Sequence, residues 1–197
     1  MLFTQIKELS YFFNFSQTRQ MLLEKSSPDS RKMKLKDVCH TRWIEQVNGL
    51  DTFEELFVPI FFTLDEMASN LERQCNPSTS SKASSFLALV SSFKFIVAMV
   101  ITRNIFDLTL PVTQLLQAKT NYVMVGIDLI QALKNLGVTI RNQIEFYHDQ
   151  WYQQAISLAA KIDVQESMPR TISRQTTRDN PLPLMPLNTL SELLQYL

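Results

Sequence analysis

Apolar side chains recur every three or four residues between positions 127 and 162, and this periodicity is the strongest constraint on the fold. An α-helix turns once every 3.6 residues, so that spacing places them all on one face of a helix. The sequence therefore predicts one long amphipathic helix in the C-terminal half, with a kink near Gly137. The members of the stripe are Ile127, Ile130, Leu133, Leu136, Ile140, Ile144, Tyr147, Trp151, Ala155, Leu158 and Ile162.

A second apolar run, from Phe86 to Ile105, is apolar nearly all round the helical projection. Such a pattern is typical of a helix at the centre of a bundle. We expect the helix to end at Pro111, with a short helix following over 112–118. The polar stretch 76–81 before it, Asn-Pro-Ser-Thr-Ser-Ser, reads as a break between helices.

Helical spacing also governs the N-terminal half. Residues 2–24 predict two short helices, the second capped by Ser16. Thr41 is a plausible cap for a helix that continues through Leu50 and Phe57. Pro59 should kink this helix or start a new one.

Glycine is scarce, with 3 in 197 residues, and tight hairpins need glycine. No segment alternates as a strand does, and no repeat of fixed period occurs. Hydrophobic residues make up 45% of the chain and charged residues 19%, which is an ordinary globular composition. The prediction is an all-α fold: an irregular bundle of five to seven helices, with a short final helix over 187–196.

Localisation signals are weak. The start of the chain lacks a basic segment followed by an apolar run, so we expect no signal peptide. The most apolar stretch, 86–101, contains Ser91, Ser92 and Lys94 and is short for a bilayer span, so we expect no membrane segment. Two cysteines cannot form a disulfide framework, which favours a reducing intracellular compartment.

The residue types of metal and nucleophilic chemistry are present but poorly spaced. The carboxylate pairs Glu54-Glu55 and Asp65-Glu66 are neighbours in predicted helices, and such neighbours point about 100° apart rather than at one ion. Four residues could in principle bind zinc, but structural zinc sites pair their ligands at short fixed spacings. We therefore predict no metal site, no cofactor and no small-molecule substrate. The four residues are Cys39, His40, Cys75 and His148.

One stretch has the residue types of a nucleic-acid-binding site: a run of basic residues precedes a tryptophan. Lysine and arginine neutralise phosphates, and an exposed indole can stack on an unpaired base. Equally, a tryptophan at the start of a helix can be a core anchor and a basic linker can simply be solvated. The candidate nucleic-acid-binding residues are Lys32, Lys34, Lys36, Arg42 and Trp43, with Arg31 beside them.

Residues 35–45, Leu-Lys-Asp-Val-Cys-His-Thr-Arg-Trp-Ile-Glu, resemble the Cys-x-Thr-Arg-Trp signature of hAT-family transposases. Within that family the sequence resembles the subgroup that contains zinc-finger MYM-type proteins and the repressor of the inhibitor of the protein kinase. Three further blocks in the expected order extend the resemblance over most of the chain. They are Phe12-Phe13-Asn14-Phe15-Ser16 with Arg19; Ser91-Ser92-Phe93-Lys94-Phe95-Ile96-Val97-Ala98 with Leu115-Leu116-Gln117; and Met168-Pro169-Arg170 with Arg174-Gln175-Thr176 and Arg178-Asp179-Asn180.

This resemblance implies a division of the chain. Residues 1–30 would be a helical lead-in to an RNase H-like core, 31–164 the helical insertion domain, and 165–197 an irregular basic tail. The family's Asp-Asp-Glu nuclease carboxylates would lie outside the chain, so we expect no enzymatic activity. By resemblance, Arg42 and Trp43 would contact DNA, and the protein would be nuclear.

The sequence also departs from the family pattern. Gln46, Val47 and Gly49 stand where relatives carry Arg, a polar residue and Ala, and a glycine within a helix costs on the order of 1 kcal/mol relative to alanine. Two hypotheses therefore stand side by side. One is a non-catalytic transposon-derived fragment that contacts DNA weakly. The other is a protein-interaction or self-association module, or an inert relic, whose helices expose apolar faces.

Overall fold

The computed structural model describes residues 2–27, 35, 43–69, 75–117 and 123–167. Within these ranges the chain forms eight α-helices and no strand, so the all-α prediction is confirmed. Residues 1–166 form one compact unit that holds all eight helices, and 167–197 form a second. The helices are α1 (Leu2–Asn14), α2 (Gln17–Lys25), α3 (Trp43–Glu55), α4 (Phe57–Ser69), α5 (Pro77–Val90), α6 (Phe93–Gln117), α7 (Val123–Asn142) and α8 (Ile144–Ala160).

Helix α6 is the centre of the first unit, as its apolar sequence predicts. It contacts α1, α3, α5, α7 and α8. At its start, Phe95 meets two aromatic rings of the preceding helices, Phe53 at 6.2 Å and Phe57 at 6.5 Å between ring centroids. Both rings are fully buried. Large aromatic side chains contribute much of a core's apolar area, so this trio fixes α3 and α4 against α6.

The apolar run that begins at Phe86 is divided between two helices, contrary to the single helix predicted there. Helix α5 ends at Val90, and the Ser91 hydroxyl donates to the Leu87 carbonyl at 2.6 Å. The Ser92 carbonyl accepts from the amide of Phe95 in the first turn of α6, which begins at Phe93. Serine is a poor residue for a helix interior because its side chain competes for backbone hydrogen bonds, so two serines in succession favour a junction between helices here.

The predicted break at 76–81 is mostly helix. Asn76 caps α5, its Oδ1 accepting the Thr79 amide at 2.7 Å, and Pro77 is the first helical residue. Proline suits that position because its missing N–H would have had no partner there. The Asn-Pro pair therefore marks a helix start, and residues 77–81 belong to the helix.

Pro111 does not end α6, which continues to Gln117, so the prediction of a stop there was wrong. A proline within a helix leaves the carbonyl of the residue four positions earlier without its amide partner. That residue is Asp107, and both it and Pro111 are exposed. Water can therefore satisfy the carbonyl, which lowers the cost of the interruption.

The long helix predicted over 127–162 is interrupted at Gln143, and not near Gly137. The Gln143 amide donates to both Thr139 and Ile140, at 3.1 and 3.2 Å. Its own carbonyl accepts from Tyr147 at 3.2 Å, so hydrogen bonding continues across the junction. The apolar spacing is unchanged there, and glutamine is a good helix former, so the sequence carries no sign of this distortion.

The N-terminal half follows the sequence more closely. Ser16 occupies the cap position of α2 with extended backbone angles, although its hydroxyl makes no capping bond. Helix α3 begins at Trp43, and Pro59 lies in the first turn of the separate helix α4. The predicted cap Thr41 and the predicted helix at 187–196 lie outside the described residues.

One described helix segment, Phe93–Leu115 within α6, is long and apolar enough to cross a membrane by length and composition alone. Its most apolar window is 44% buried within the fold. A core helix of a folded domain has the same properties, and this segment carries the packing residues Phe95, Ile96 and Met99.

Candidate functional site

The predicted nucleic-acid-binding residues lie at the edge of the described structure. Trp43 is the first residue of α3, and its side chain is not described. Lys32, Lys34, Lys36 and Arg42 lie outside the described ranges, as do the arginines of the C-terminal segment. How these residues are arranged around Trp43 stays a prediction.

The described part of the chain offers no arrangement of side chains that supports a zinc site. Cys39 and His40 lie outside it, and no group of three His, Cys, Asp or Glu residues within it is placed to hold a metal ion. His148 stacks on Tyr152 at 5.8 Å and has Asp149 at 3.5 Å. Burial raises the pKa of the Cys75 thiol, which favours the protonated form over the thiolate that binds metals.

A cluster of one arginine and three carboxylates joins α3 to α6. Arg103 Nη2 donates to Asp51 Oδ1 at 2.8 Å, and Arg103 Nε lies 3.2 Å from Glu54 Oε2. Arg103 Nη1 forms an ion pair with Asp107, one turn further along α6. The guanidinium therefore occupies the position between the three carboxylates that a metal ion would need. The cluster has a structural role, because it links α3 to α6 through ion pairs.

Glu54 also borders an open groove of about 400 Å³ between α3 and α8. Burial raises the pKa of the Glu54 carboxyl; Arg103 and Lys161 lower it, and Asp51 raises it further. The rest of the lining consists of three amides, a hydroxyl, one apolar side chain and one lysine ammonium, without a nucleophile and base paired at hydrogen-bond distance. These residues are Gln150, Gln153, Gln154, Ser157, Leu158 and Lys161.

Helix α7 differs from the other helices in its burial. Between positions 126 and 142, where its side chains are described, no residue is buried. Its main contacts among the described helices are with α6 and α8. Its side chains divide into three stripes along the helix.

The first stripe is half-buried and lies towards the rest of the fold: Leu129, Leu133, Leu136 and Ile140. The second is polar and exposed, and comprises Asp128, Gln131, Asn135, Thr139 and Asn142. Within it, the Gln131 amide donates to Asn135 at 3.0 Å. The third stripe is also exposed, yet mostly apolar: Ile127, Ile130, Lys134, Val138 and Arg141.

This third stripe, which we call the α7 stripe, is the candidate functional surface. The side chains of Ile127, Ile130 and Val138 are 54%, 49% and 52% exposed. Val138 follows Ile130 by eight residues, with Lys134 midway between them, so the three side chains and Lys134 share one face of the helix. Because α7 already has a polar face for solvent, this second exposed face is not needed for solubility.

The sequence predicted Ile127 and Ile130 on the same helix face as Leu133, but the structure places the two isoleucines on a separate, exposed face. The half-buried stripe starts from Leu129, two positions on. The missed signal was that α7 carries two apolar stripes where one is enough to attach it to the bundle. When a helix has two apolar stripes and only one packs against the bundle, the other stays exposed to solvent unless a partner binds it.

Comparison with known proteins gives one consistent relationship. The chain is 28% identical over 177 residues to the human 52 kDa repressor of the inhibitor of the protein kinase, and 27% identical over 178 residues to the mouse protein of the same name. Each alignment covers 86% of this chain and 23% of the relative, so the chain spans about a quarter of these relatives' length. No family model and no solved structure matches the chain.

Proposed function

We propose that this chain is a non-catalytic helical binding module, derived from the insertion domain of a hAT-type transposase, that docks another protein through the α7 stripe. The observation that carries the proposal is the exposure of Ile127, Ile130 and Val138 beside a separate polar face. The transposon origin is supported by the ordered motifs around Trp43 and by the similarity to the repressor proteins along most of the chain.

Physical chemistry favours a docking role for such a face. Apolar side chains scattered singly on a surface are ordinary, but several that share one exposed helix face favour an interaction site. Fully burying an isoleucine side chain contributes about 1.5–3 kcal/mol. Three half-exposed aliphatic side chains can therefore contribute part of that free energy to binding when a partner covers them. All three residues are β-branched and therefore stiff, so little side-chain entropy is lost when they are covered.

A dye-binding measurement tests whether the α7 stripe is the exposed apolar surface. The double variant Ile127→Gln/Ile130→Gln should lose most of the hydrophobic-dye fluorescence of the wild-type chain. Glutamine keeps helix propensity, so the helix should persist in circular dichroism. The matched control is Asn135→Gln/Asn142→Gln, two changes on the polar stripe of the same helix.

Sedimentation velocity of the same proteins tests self-association, the other use of an apolar face. If the wild-type chain binds no dye and sediments as a monomer, the docking proposal loses its support. If the double variant binds as much dye as the wild-type chain, the dye-binding surface lies outside the α7 stripe. Loss of dye binding in the isoleucine variant alone is the expected result.

Weak DNA contact is the second candidate function. Lys32, Lys34, Lys36, Arg42 and Trp43 form a basic run that ends at the first residue of α3. Such a run would neutralise phosphates while the indole stacks on an unpaired base. We infer a nuclear, non-cleaving contact from the resemblance of this run to the transposase motif.

Binding to hairpin DNA across a salt series tests this second function. Lys34→Ala/Trp43→Ala should weaken binding, and affinity should fall as salt rises because phosphate contacts release counterions. A matched control is Lys94→Ala, an exposed lysine on α6. A DNA affinity that does not change with salt concentration, or that is the same in the double variant as in wild type, would exclude this second function. DNA cleavage by the chain with Mg²⁺ or Mn²⁺ would refute the non-catalytic assignment.

A further inference from the structure

We infer that the partner of the α7 stripe is an amphipathic helix whose apolar seam is flanked by glutamate or aspartate. This inference rests on the docking function proposed above and specifies the chemistry of the occupant. It follows from the arrangement of charge along the stripe. Lys134 lies between the apolar side chains, and Arg141 closes the stripe at the C-terminal end of the helix.

The dimensions of the α7 stripe match a helix laid along it. From Ile127 to Arg141 the helix rises about 21 Å, at 1.5 Å per residue, which is about four turns. The stripe members, charged and apolar together, repeat at intervals of three or four residues, which is the spacing that a partner helix presents in return. Aliphatic knobs without aromatic rings also fit the packing of one helix against another.

The charges on the α7 stripe are both positive and both exposed. No ion pair of Lys134 or Arg141 is present among the described residues, and neither is folded back onto a carboxylate of its own helix. The one acidic residue of α7, Asp128, belongs to the polar stripe. Charge complementarity therefore calls for acidic side chains on the partner.

A second copy of this chain is a poor occupant. When two α7 helices pair antiparallel about the middle of the stripe, Lys134 faces Lys134, and each Arg141 faces an isoleucine. Like charges placed opposite each other destabilise a helix pair. Carboxylates on a different helix remove that conflict and leave the three aliphatic side chains to pack.

Nucleic acid and membrane surfaces fit less well. Unpaired bases stack on aromatic rings, and the α7 stripe has none. Interfacial membrane helices carry a wide apolar face with Trp, Phe or Leu, whereas this stripe offers two isoleucines and a valine. Both alternatives are retained as arms of the experiment.

The experiment uses the whole chain and two lactam-constrained helical peptides with the same leucine seam. One peptide has glutamate at the flanking positions and the other has lysine. Fluorescence anisotropy should show the glutamate peptide binding about tenfold more tightly at low salt, with the difference shrinking as salt screens the pairs. Phosphatidylserine vesicles and duplex DNA are the two other probes.

Charge reversal identifies the residues responsible. Lys134→Glu/Arg141→Glu should invert the peptide preference, because the same flanks now repel glutamate and attract lysine. The control Asn135→Glu/Asn142→Glu adds negative charge at the neighbouring positions, but on the polar stripe, and should leave the glutamate peptide preferred. Ile127→Gln/Ile130→Gln should abolish binding of both peptides.

The outcomes separate this inference from the proposed function. Equal binding of both peptides, or a preference that the charge reversal does not invert, overturns the acidic partner and leaves the docking surface standing. Binding of vesicles or DNA that needs Ile127 and Ile130 also overturns it. If neither peptide binds, the helical partner is refuted, and the dye measurement then decides whether the α7 stripe is a docking surface at all.

Discussion

Removing the guanidinium at the joint between α3 and α6 should destabilise the whole fold. The variant Arg103→Met keeps the length and apolar stem of the side chain and deletes its charge. Three carboxylates, Asp51, Glu54 and Asp107, would then face one another without a cation between them. The loss of attraction and the new repulsion act in the same direction.

The magnitude follows from the exposure of the four side chains. Arg103 is 21% exposed and its partners are 40%, 34% and 49% exposed, so full buried-pair energies do not apply. Exposed ion pairs contribute about 0.2–1 kcal/mol each, and the partial burial here favours the upper part of that range. With repulsion added, the free energy of unfolding should fall by about 2 kcal/mol. For a chain of this size, that lowers Tm by about 4–8 °C.

Urea and thermal unfolding followed by circular dichroism measure the effect, with Lys94→Met as the control on the same helix. Adding Asp51→Asn and Glu54→Gln to Arg103→Met should recover part of the loss, because the repelling charges are gone. High salt should narrow the gap between wild type and Arg103→Met. A loss no larger than that of Lys94→Met, or no recovery in the triple variant, would refute the role assigned to the cluster.

Three further changes have expected outcomes. Phe57→Ala should lower the free energy of unfolding in urea by about 3–5 kcal/mol, because a fully buried ring is lost from the aromatic trio; a loss under about 1 kcal/mol would contradict that packing. Gly137→Ala should raise it by about 0.5–1 kcal/mol, because an added Cβ at this position in α7 meets no atom within 4 Å; destabilisation would contradict this. Glu54→Gln should stabilise the chain at neutral pH. Burial raises the folded-state pKa above 4.5, so wild-type stability falls as pH rises through the interval above that value. The stability difference between Glu54→Gln and wild type should vanish below pH 4.5, where the wild-type carboxyl is protonated. A Glu54→Gln variant that is less stable than wild type at neutral pH would refute this prediction.

Helical periodicity predicted the fold class because apolar stripes and scarce glycine leave no pattern for strands. It predicted junctions less well, because those depend on side-chain hydrogen bonds and local solvation. The Ser91-Ser92 pair ends one helix and begins another through its own hydroxyl and carbonyl groups. Pro111 is tolerated because the carbonyl it orphans lies on the exposed side. Neither effect changes the spacing of the apolar residues.

The candidate surface shows a similar limit. Ile127 and Ile130 fit the predicted apolar stripe by spacing, and only the half-buried positions of Leu129 and Leu133 show which apolar face is turned towards the fold. Helical periodicity can identify apolar faces but cannot rank two of them on one helix. The basic run that ends at Trp43 is visible in the sequence alone, and its role in DNA contact stays a prediction.

The most direct test of the account is amide hydrogen exchange of the whole chain, measured by mass spectrometry with and without the glutamate-flanked peptide. In the free chain, α7 amides should exchange faster than those of α6, because α7 has no buried residue between 126 and 142. Added peptide should protect residues 127–141 and leave the groove beside Glu54 unchanged. Protection elsewhere, or α7 amides as slow as those of α6 in the free chain, would contradict the assignment of the α7 stripe as the binding surface.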